Sequence, residues 1–278
     1  MLELSPQDVL HCASDLHLST ETPNTLRAFE TWLASVAQEG SRVLLLGDVF
    51  EVWAGDDQDD DCTRRVKTAI QSAVACGCRV EFMHGNRDFL LRDGFADECG
   101  MTLLPDPEFI RIGALVIALS HGDQLCTDDV AYQRFRLQSR NPAWQDALLA
   151  QPLAARQQLA KSIRSESMQH KASSSLAIQD VNALAVQKAF KGHWPDGDYV
   201  GRFNVLVHGH THRCAVHQAA QTESQLSQTM TGQLQDGMRL VLPDWCMDTE
   251  HDDESDGRRR GGYLTLRGNG AYTLTLFN

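Results

Sequence analysis

Short apolar runs recur along the chain, and each gives way abruptly to a residue that can ligate or titrate. The clearest is Val43-Leu44-Leu45-Leu46, which ends in Gly47-Asp48. Its four apolar residues do not alternate with polar ones, so the pattern predicts a strand buried on both faces of a mostly parallel sheet. Similar runs at 9–14, 79–83, 115–119 and 205–207 lead into Asp15-Leu16-His17, His84-Gly85-Asn86-Arg87-Asp88, Ser120-His121-Gly122-Asp123 and His208-Gly209-His210-Thr211-His212. Between them the period changes from two to that of a helix. Leu26, Phe29, Leu33 and Val36 form one face of a helix expected over Thr25–Gln38, with Gly40 beyond its end, and a second helix is expected over Cys62–Ala75.

From Cys126 to about Trp194 the pattern is helical, rich in Ala and Leu and interleaved with Arg and Lys. Met238–Leu242 and Gly262–Phe277 read as strands completing a second sheet. Residues 217–236, rich in Gln and Ser, and 248–260, acidic and then basic, read as flexible insertions. The organisation expected is an α/β core over 1–125 and 195–278, with a helical lid over 126–194 inserted between two of the strands that carry candidate ligands. A lid so placed is positioned to carry specificity.

Composition narrows this picture. With 278 residues and 42% hydrophobic content the chain is long enough for one large domain with an insertion. No apolar run approaches the roughly 20 residues of a membrane span, and the first residues lack the pattern of a signal peptide. The expected location is the cytoplasm, or the cytoplasmic face of a membrane as a peripheral protein. The eight cysteines are scattered without metal-site or redox spacing and read as reduced thiols. A net charge of −12 argues against non-specific nucleic-acid binding. Between Thr127 and Trp194, however, nine Lys/Arg face five Asp/Glu, a local balance of +4. That suits either a solvated helical surface or an anionic substrate or lipid. The five aspartates among residues 56–61 lack the glycine and terminal glutamate of an EF-hand and read as a solvated loop.

In open α/β sheets the ligand crevice lies at the carboxyl ends of the strands. Seven residues are placed there: Asp15, His17, Asp48, Asn86, His121, His210 and His212. Three oxygen donors with four imidazoles and no thiolate suit borderline-hard divalent ions, and seven side chains exceed what one tetrahedral ion needs. Two ions sharing Asp48 is the economical arrangement, and such pairs activate water against a phosphoryl group. His208 lies deeper in its strand and reads as a residue behind the ligands. Arg87 next to Asn86 has the guanidinium geometry of a phosphate clamp, its plainer alternative being an ion pair with Asp88.

Asp15-x-His17, Gly47-Asp48, Gly85-Asn86-Arg87-Asp88, His121-Gly122-Asp123 and Gly209-His210-Thr211-His212 together resemble the calcineurin-like metallophosphoesterase superfamily. Glu51-x-Trp53-x-Gly55-Asp56-Asp57, Gly85-Asn86-Arg87-Asp88-Phe89-Leu90, the block from His121 to Arg136 and Asp180-Val181-Asn182 are similar, more narrowly, to the UDP-2,3-diacylglucosamine hydrolases of lipid A biosynthesis. That resemblance covers about residues 9–213. It implies two packed sheets flanked by helices, and cleavage of the diphosphate of UDP-2,3-diacylglucosamine to UMP and the acylated sugar 1-phosphate. It further implies two Mn²⁺ per chain and peripheral association with the inner membrane. One ion would take Asp15, His17, Asp48 and His212, the other Asp48, Asn86, His121 and His210. Asn86 and Arg87 would act in catalysis, and Asn86, Arg87, Asp129, Ser167, Lys171, Ser174 and His210 would contact substrate. At Lys171 and Ser174 the chain departs from the asparagine and lysine of the family pattern.

Overall fold

Strands that are apolar on both faces need two layers to bury them, and the chain supplies both. The computed structural model describes residues 1–173, 180–196, 201–218, 228–248 and 260–277, without the side chains of 166–173. β1 (Leu2–Leu4), β2 (Val9–Ala13), β3 (Arg42–Leu46), β4 (Arg79–Met83), β5 (Thr102–Leu104), β6 (Glu108–Ile112) and β7 (Leu115–Ser120) come from the first half. β8 (Val205–His208), β9 (Ala215–His217), β10 (Thr229–Gln233), β11 (Met238–Val241), β12 (Gly262–Arg267) and β13 (Ala271–Leu276) follow the helical segment. They form a seven-stranded sheet in the order β10-β13-β12-β2-β3-β4-β5 and a six-stranded sheet in the order β1-β6-β7-β8-β11-β9. β2 to β5 are mutually parallel, as are β7, β8 and β11.

The continuous apolar run is now explained residue by residue. Leu44 and Leu46 of β3 join Leu10, Cys12, Ile117, Leu119, Val205 and Val207 in the core shared by the two sheets. Val43 and Leu45 point the other way, into a core with Phe29, Leu33, Val66, Ile70 and Phe95 of the covering helices. Those helices are α1 (Pro23–Val36), α2 (Asp61–Ala75) and α3 (Asp93–Cys99). The five ligand-bearing runs do not lie in one sheet as expected. Three belong to the first sheet and two to the second, and the carboxyl edges of both meet at one cleft.

The later strands also depart from expectation. Met238–Leu242 and Gly262–Phe277 do not complete one sheet together. β11 runs parallel to β8 in the six-stranded sheet, whereas the β12–β13 hairpin lies antiparallel to β2 in the other. Nor is the acidic loop simply solvated. Asp56 accepts hydrogen bonds from the backbone N–H groups of Arg92 and Phe95, Asp60 caps α2 through Thr63 N–H at 2.8 Å, and Asp57 holds Arg156. The first turn of α1 has no local side-chain cap, and the need is met from far along the chain. Asp248, 8% exposed, accepts from Asn24 N–H at 3.0 Å and Thr25 N–H at 2.8 Å. All eight cysteines are free thiols.

Between β7 and β8 run α4 (Val130–Ser139), α5 (Pro142–Leu149), α6 (Leu153–Ser173) and α7 (Ala183–Phe190), so the segment is helical as its periodicity indicated. Much of its positive charge is turned inward. Arg136, 7% exposed, bridges Asp123 and Asp196, and Arg140 donates to Gly85 O at 2.9 Å. Arg156, 5% exposed, donates to Ala54 O and to both carboxylate oxygens of Asp57. These arginines rivet the helices to the core loops.

Candidate metal centre

The backbone at the cleft is strained where the expected ligands stand. Among the described residues the non-glycine residues with positive φ are Asp15 (55°), His17 (49°), Asp48 (53°), His210 (68°) and His212 (55°). Left-handed backbone costs an ordinary side chain about 1–2 kcal/mol and persists only where the surroundings impose it. Here each strand end turns sharply so that its side chain swings into the cleft. The turns also pass close to one another. A Cβ on Gly85 would fall 2.1 Å from Asp48 Oδ1, and one on Gly209 would fall 2.3 Å from Asp15 Oδ2, so only glycine fits at either place.

Two groups of ligand atoms converge. Asp15, His17 and His212 form one, Asp15, Asp48 and His121 the other, with Asp15 common to both. In the first, His17 Nε2 and His212 Nε2 face each other at 3.3 Å, and Asp15 Oδ1 lies 3.6 Å from His212 Nε2. That oxygen is buried with no hydrogen-bond donor, while Oδ2 of the same carboxylate accepts from Ser14 Oγ at 2.6 Å and His210 N–H at 2.8 Å. In the second, His121 Nδ1 lies 2.9 Å from Leu46 O, which assigns it the proton and leaves Nε2 directed at Asn86 Oδ1 (3.1 Å) and Asp48 Oδ2 (3.8 Å). The His210 ring lies 5.1 Å from that of His121. His212 belongs to the first group, whereas His210 is in neither and stands beside His121, both histidines on left-handed backbone.

The donor set fits divalent cations. An orphaned buried carboxylate oxygen and imidazole nitrogens meeting face to face are arrangements that a bound cation satisfies. The electrostatics agree. Burial alone pushes His121 down, but Asp48, Asp15 and Asp123 outweigh it and raise it to about 9. Burial likewise works against ionisation of Asp15, but the imidazoles of His212, His121 and His17 beside it hold it well below the usual carboxylate range.

Groups behind the ligands hold them in place. Arg87 N–H donates to Asp48 Oδ1 at 2.8 Å. Asp88 is fully buried and accepts from Val49 N–H and Gly85 N–H, pinning the β3 and β4 loops together. Burial and the neighbouring Asp48 raise it to about 6. The Arg87 guanidinium therefore does not pair with Asp88. It meets Glu51 Oε1 at 3.2 Å. His208 lies behind the ligands, as its depth in the strand implied, with Nδ1 2.9 Å from Gly209 O and Nε2 facing Arg239 at 3.1 Å. Burial, with Arg239, lowers it to about 3 and keeps it neutral.

On the lid side, Asp129 caps α4, accepting from Tyr132 N–H at 2.9 Å. Ser167 and Lys171 fall within α6, where side chains are not described, and Ser174 lies outside the described residues. Sequence reasoning missed Glu51, Tyr132 and Asp123 as site components. Tyr132 Oη donates to Asp123 at 2.5 Å with its ring 5.7 Å from that of His210. The available signal was position for two of them: Glu51 lies shortly after Asp48 and Asp123 shortly after His121, whereas Tyr132 stands further on, in α4.

The two packed sheets of this α/β fold thus carry, at their shared carboxyl edge, two groups of side chains that could hold divalent ions. Over 232 residues the chain is 40% identical to the UDP-2,3-diacylglucosamine hydrolase of Chromohalobacter salexigens, covering 84% of this chain and 87% of that protein. It is 39% identical over the same length to that of Escherichia fergusonii, covering 89% of that protein. The chain belongs to the UDP-2,3-diacylglucosamine hydrolase family. No family model matches it. A solved archaeal phosphodiesterase aligns over 97% of the chain at 12% identity with a TM-score of 0.45.

Proposed function

We propose that the protein hydrolyses the diphosphate of UDP-2,3-diacylglucosamine, releasing UMP and 2,3-diacylglucosamine 1-phosphate. The observation that carries this reading is the pair of converging ligand groups with the Arg87 backbone bonded to one of their members. The relatives' names supply the substrate. The ligands Asp15, His17, Asp48, Asn86, His121, His210 and His212 would hold two divalent ions, Mn²⁺ by the family resemblance. When bound, these ions supply Lewis-acid charge and acidify water. Arg87 binds the diphosphate and stabilises charge developing at phosphorus. Asn86 orients a phosphoryl oxygen. The leaving group is a phosphate monoester, whose second pKa near 6 makes it a weak base. Departure then needs little help from a general acid.

Tyr132, Arg136 and Arg140 tie the lid to Asp123 and Gly85. They keep α4 over the cleft, where Asp129 of its cap, together with Ser167, Lys171 and Ser174, would meet the sugar and acyl groups. Among the described residues no helix is long and apolar enough to cross a membrane. The exposed Val130, Leu137 and Leu184 on α4 and α7 support peripheral contact with the cytoplasmic face of the inner membrane, where a diacylated substrate resides. The test is turnover of UDP-2,3-diacylglucosamine by purified protein with Mn²⁺, beside chelated protein and Arg87→Ala. Metal-dependent UMP release, lost on chelation and reduced about 10²-fold or more in Arg87→Ala, supports the reading. Turnover of bis-p-nitrophenyl phosphate alone removes the substrate assignment.

A further inference from the structure

Glu51 stands three residues beyond Asp48, with its side chain only 14% exposed, and three side chains converge on its carboxylate. Its Oε2 lies 3.1 Å from His17 Nδ1. The His17 ring presents its other nitrogen, Nε2, to His212 and so to the ligand group. Its Oε1 is shared between Arg87 of the core, at 3.2 Å, and Arg164 of α6 in the lid, at 2.7 Å. The His17 contact is within ion-pair reach but is not a straight hydrogen bond, since Nδ1 has no aligned acceptor. A carboxylate behind a ligating imidazole fixes its tautomer and raises its basicity. A carboxylate shared by two guanidinium groups neutralises only one of them, which leaves a positive charge available to an anion.

We propose that Glu51 is a positioning residue that sets the His17 ring for cation binding and aims the Arg87 guanidinium at the substrate phosphate, with Arg164 joining the same carboxylate from the lid. The proposal rests on the metallophosphoesterase reading of the cleft but not on the lipid substrate. Two roles divide along the two oxygens, and the division is what makes the proposal testable. The His17 contact acts on metal affinity, and the Arg87 contact acts on turnover.

The decisive measurements use the full chain with the near-isosteric Glu51→Gln. Mn²⁺ affinity is read by titration calorimetry, and kcat and KM are read at saturating Mn²⁺ on bis-p-nitrophenyl phosphate and on UDP-2,3-diacylglucosamine. Mn²⁺ affinity should weaken about 10-fold or more, and kcat should fall about 10-fold. In the Arg87→Ala background the same substitution should change kcat by no more than about twofold, because its effect on turnover runs through Arg87. The loss of Mn²⁺ affinity should persist in that background. Glu51→Asp, which keeps the charge but shortens the reach, should fall between wild type and Glu51→Gln, and serves if Glu51→Gln does not fold. Unchanged Mn²⁺ affinity, or a kcat loss that is fully additive with Arg87→Ala, overturns the proposal. If the effects appear on the generic diester while the lipid nucleotide is not turned over, the role of Glu51 stands and the substrate assignment falls.

Discussion

Arg156 links the lid to the core through contacts of unequal worth, and replacing it separates them. Its guanidinium binds Asp57 in a bidentate pair, donates to Ala54 O, and reaches back to Gln151 O at 2.9 Å. The ion pair looks the strongest of these but is not. Asp57 is 58% exposed, and an ion pair with so wet a partner contributes only about 0–1 kcal/mol. The larger part is buried. Arg156 has 4% side-chain exposure, its stem packs against the core loop, and Ala54 is 1% exposed. Arg156→Ala leaves a buried carbonyl without its donor, at about 1–3 kcal/mol, and removes the packing of the stem. Together these give roughly 3 kcal/mol, or a fall in Tm of about 6–12 °C for a chain of this size. Asp57→Asn, which removes only the charge, should lower Tm by no more than about 4 °C. Differential scanning calorimetry on both variants decides the matter, with tryptic cleavage within 126–194 expected to accelerate in Arg156→Ala alone. Equal losses in the two variants would refute the reasoning and make the lid anchor an ion pair after all.

Three further outcomes follow from particular contacts. Asp248→Ala removes the distant cap from the first turn of α1 and should cost about 1–2 kcal/mol, read as a lower Tm with Mn²⁺ affinity unchanged. Gly85→Ala places a methyl 2.1 Å from Asp48 Oδ1 and should abolish or severely weaken Mn²⁺ binding in calorimetry while the far-UV circular dichroism is retained. His11 is lowered from its ordinary value to about 4, first by burial and then by Arg267, so the folded chain keeps it neutral where the unfolded chain protonates it. Stability should therefore be unaffected by His11 above pH 6.5 and fall as pH drops from 6.5 towards 4. The loss is at most about 3 kcal/mol, less because the ring is partly exposed, and His11→Gln should flatten that limb in urea titrations across pH.

What the sequence could reveal here follows from the range over which each cause acts. The strand ends were legible because burial on two faces and a terminal ligand are both written within six residues, as in Val43 to Asp48. α2 was legible from its periodicity, and Asp60 merely fixed its start. The partition of five similar runs between two sheets was not legible, since the same apolar pattern satisfies a sheet packed against helices and a sheet packed against another sheet. The destination of β11 was hidden for the same reason. Long-range polar contacts were hidden most completely. Asp248 caps a helix more than two hundred residues away, and Arg156 fastens a loop about a hundred residues before it. Neither residue differs locally from any solvated charge. At the cleft the balance reverses, because the chemistry itself constrains residue type and spacing. Yet the feature that gathers five of the seven side chains into two groups, left-handed backbone at four of those five, is a property of how the strand ends are held. Non-glycine residues avoid that conformation unless the fold supports it. Sequence could therefore name the candidate ligands, but only the packing of Asp88, Gly85 and Gly209 beneath them accounts for the convergence of five of them.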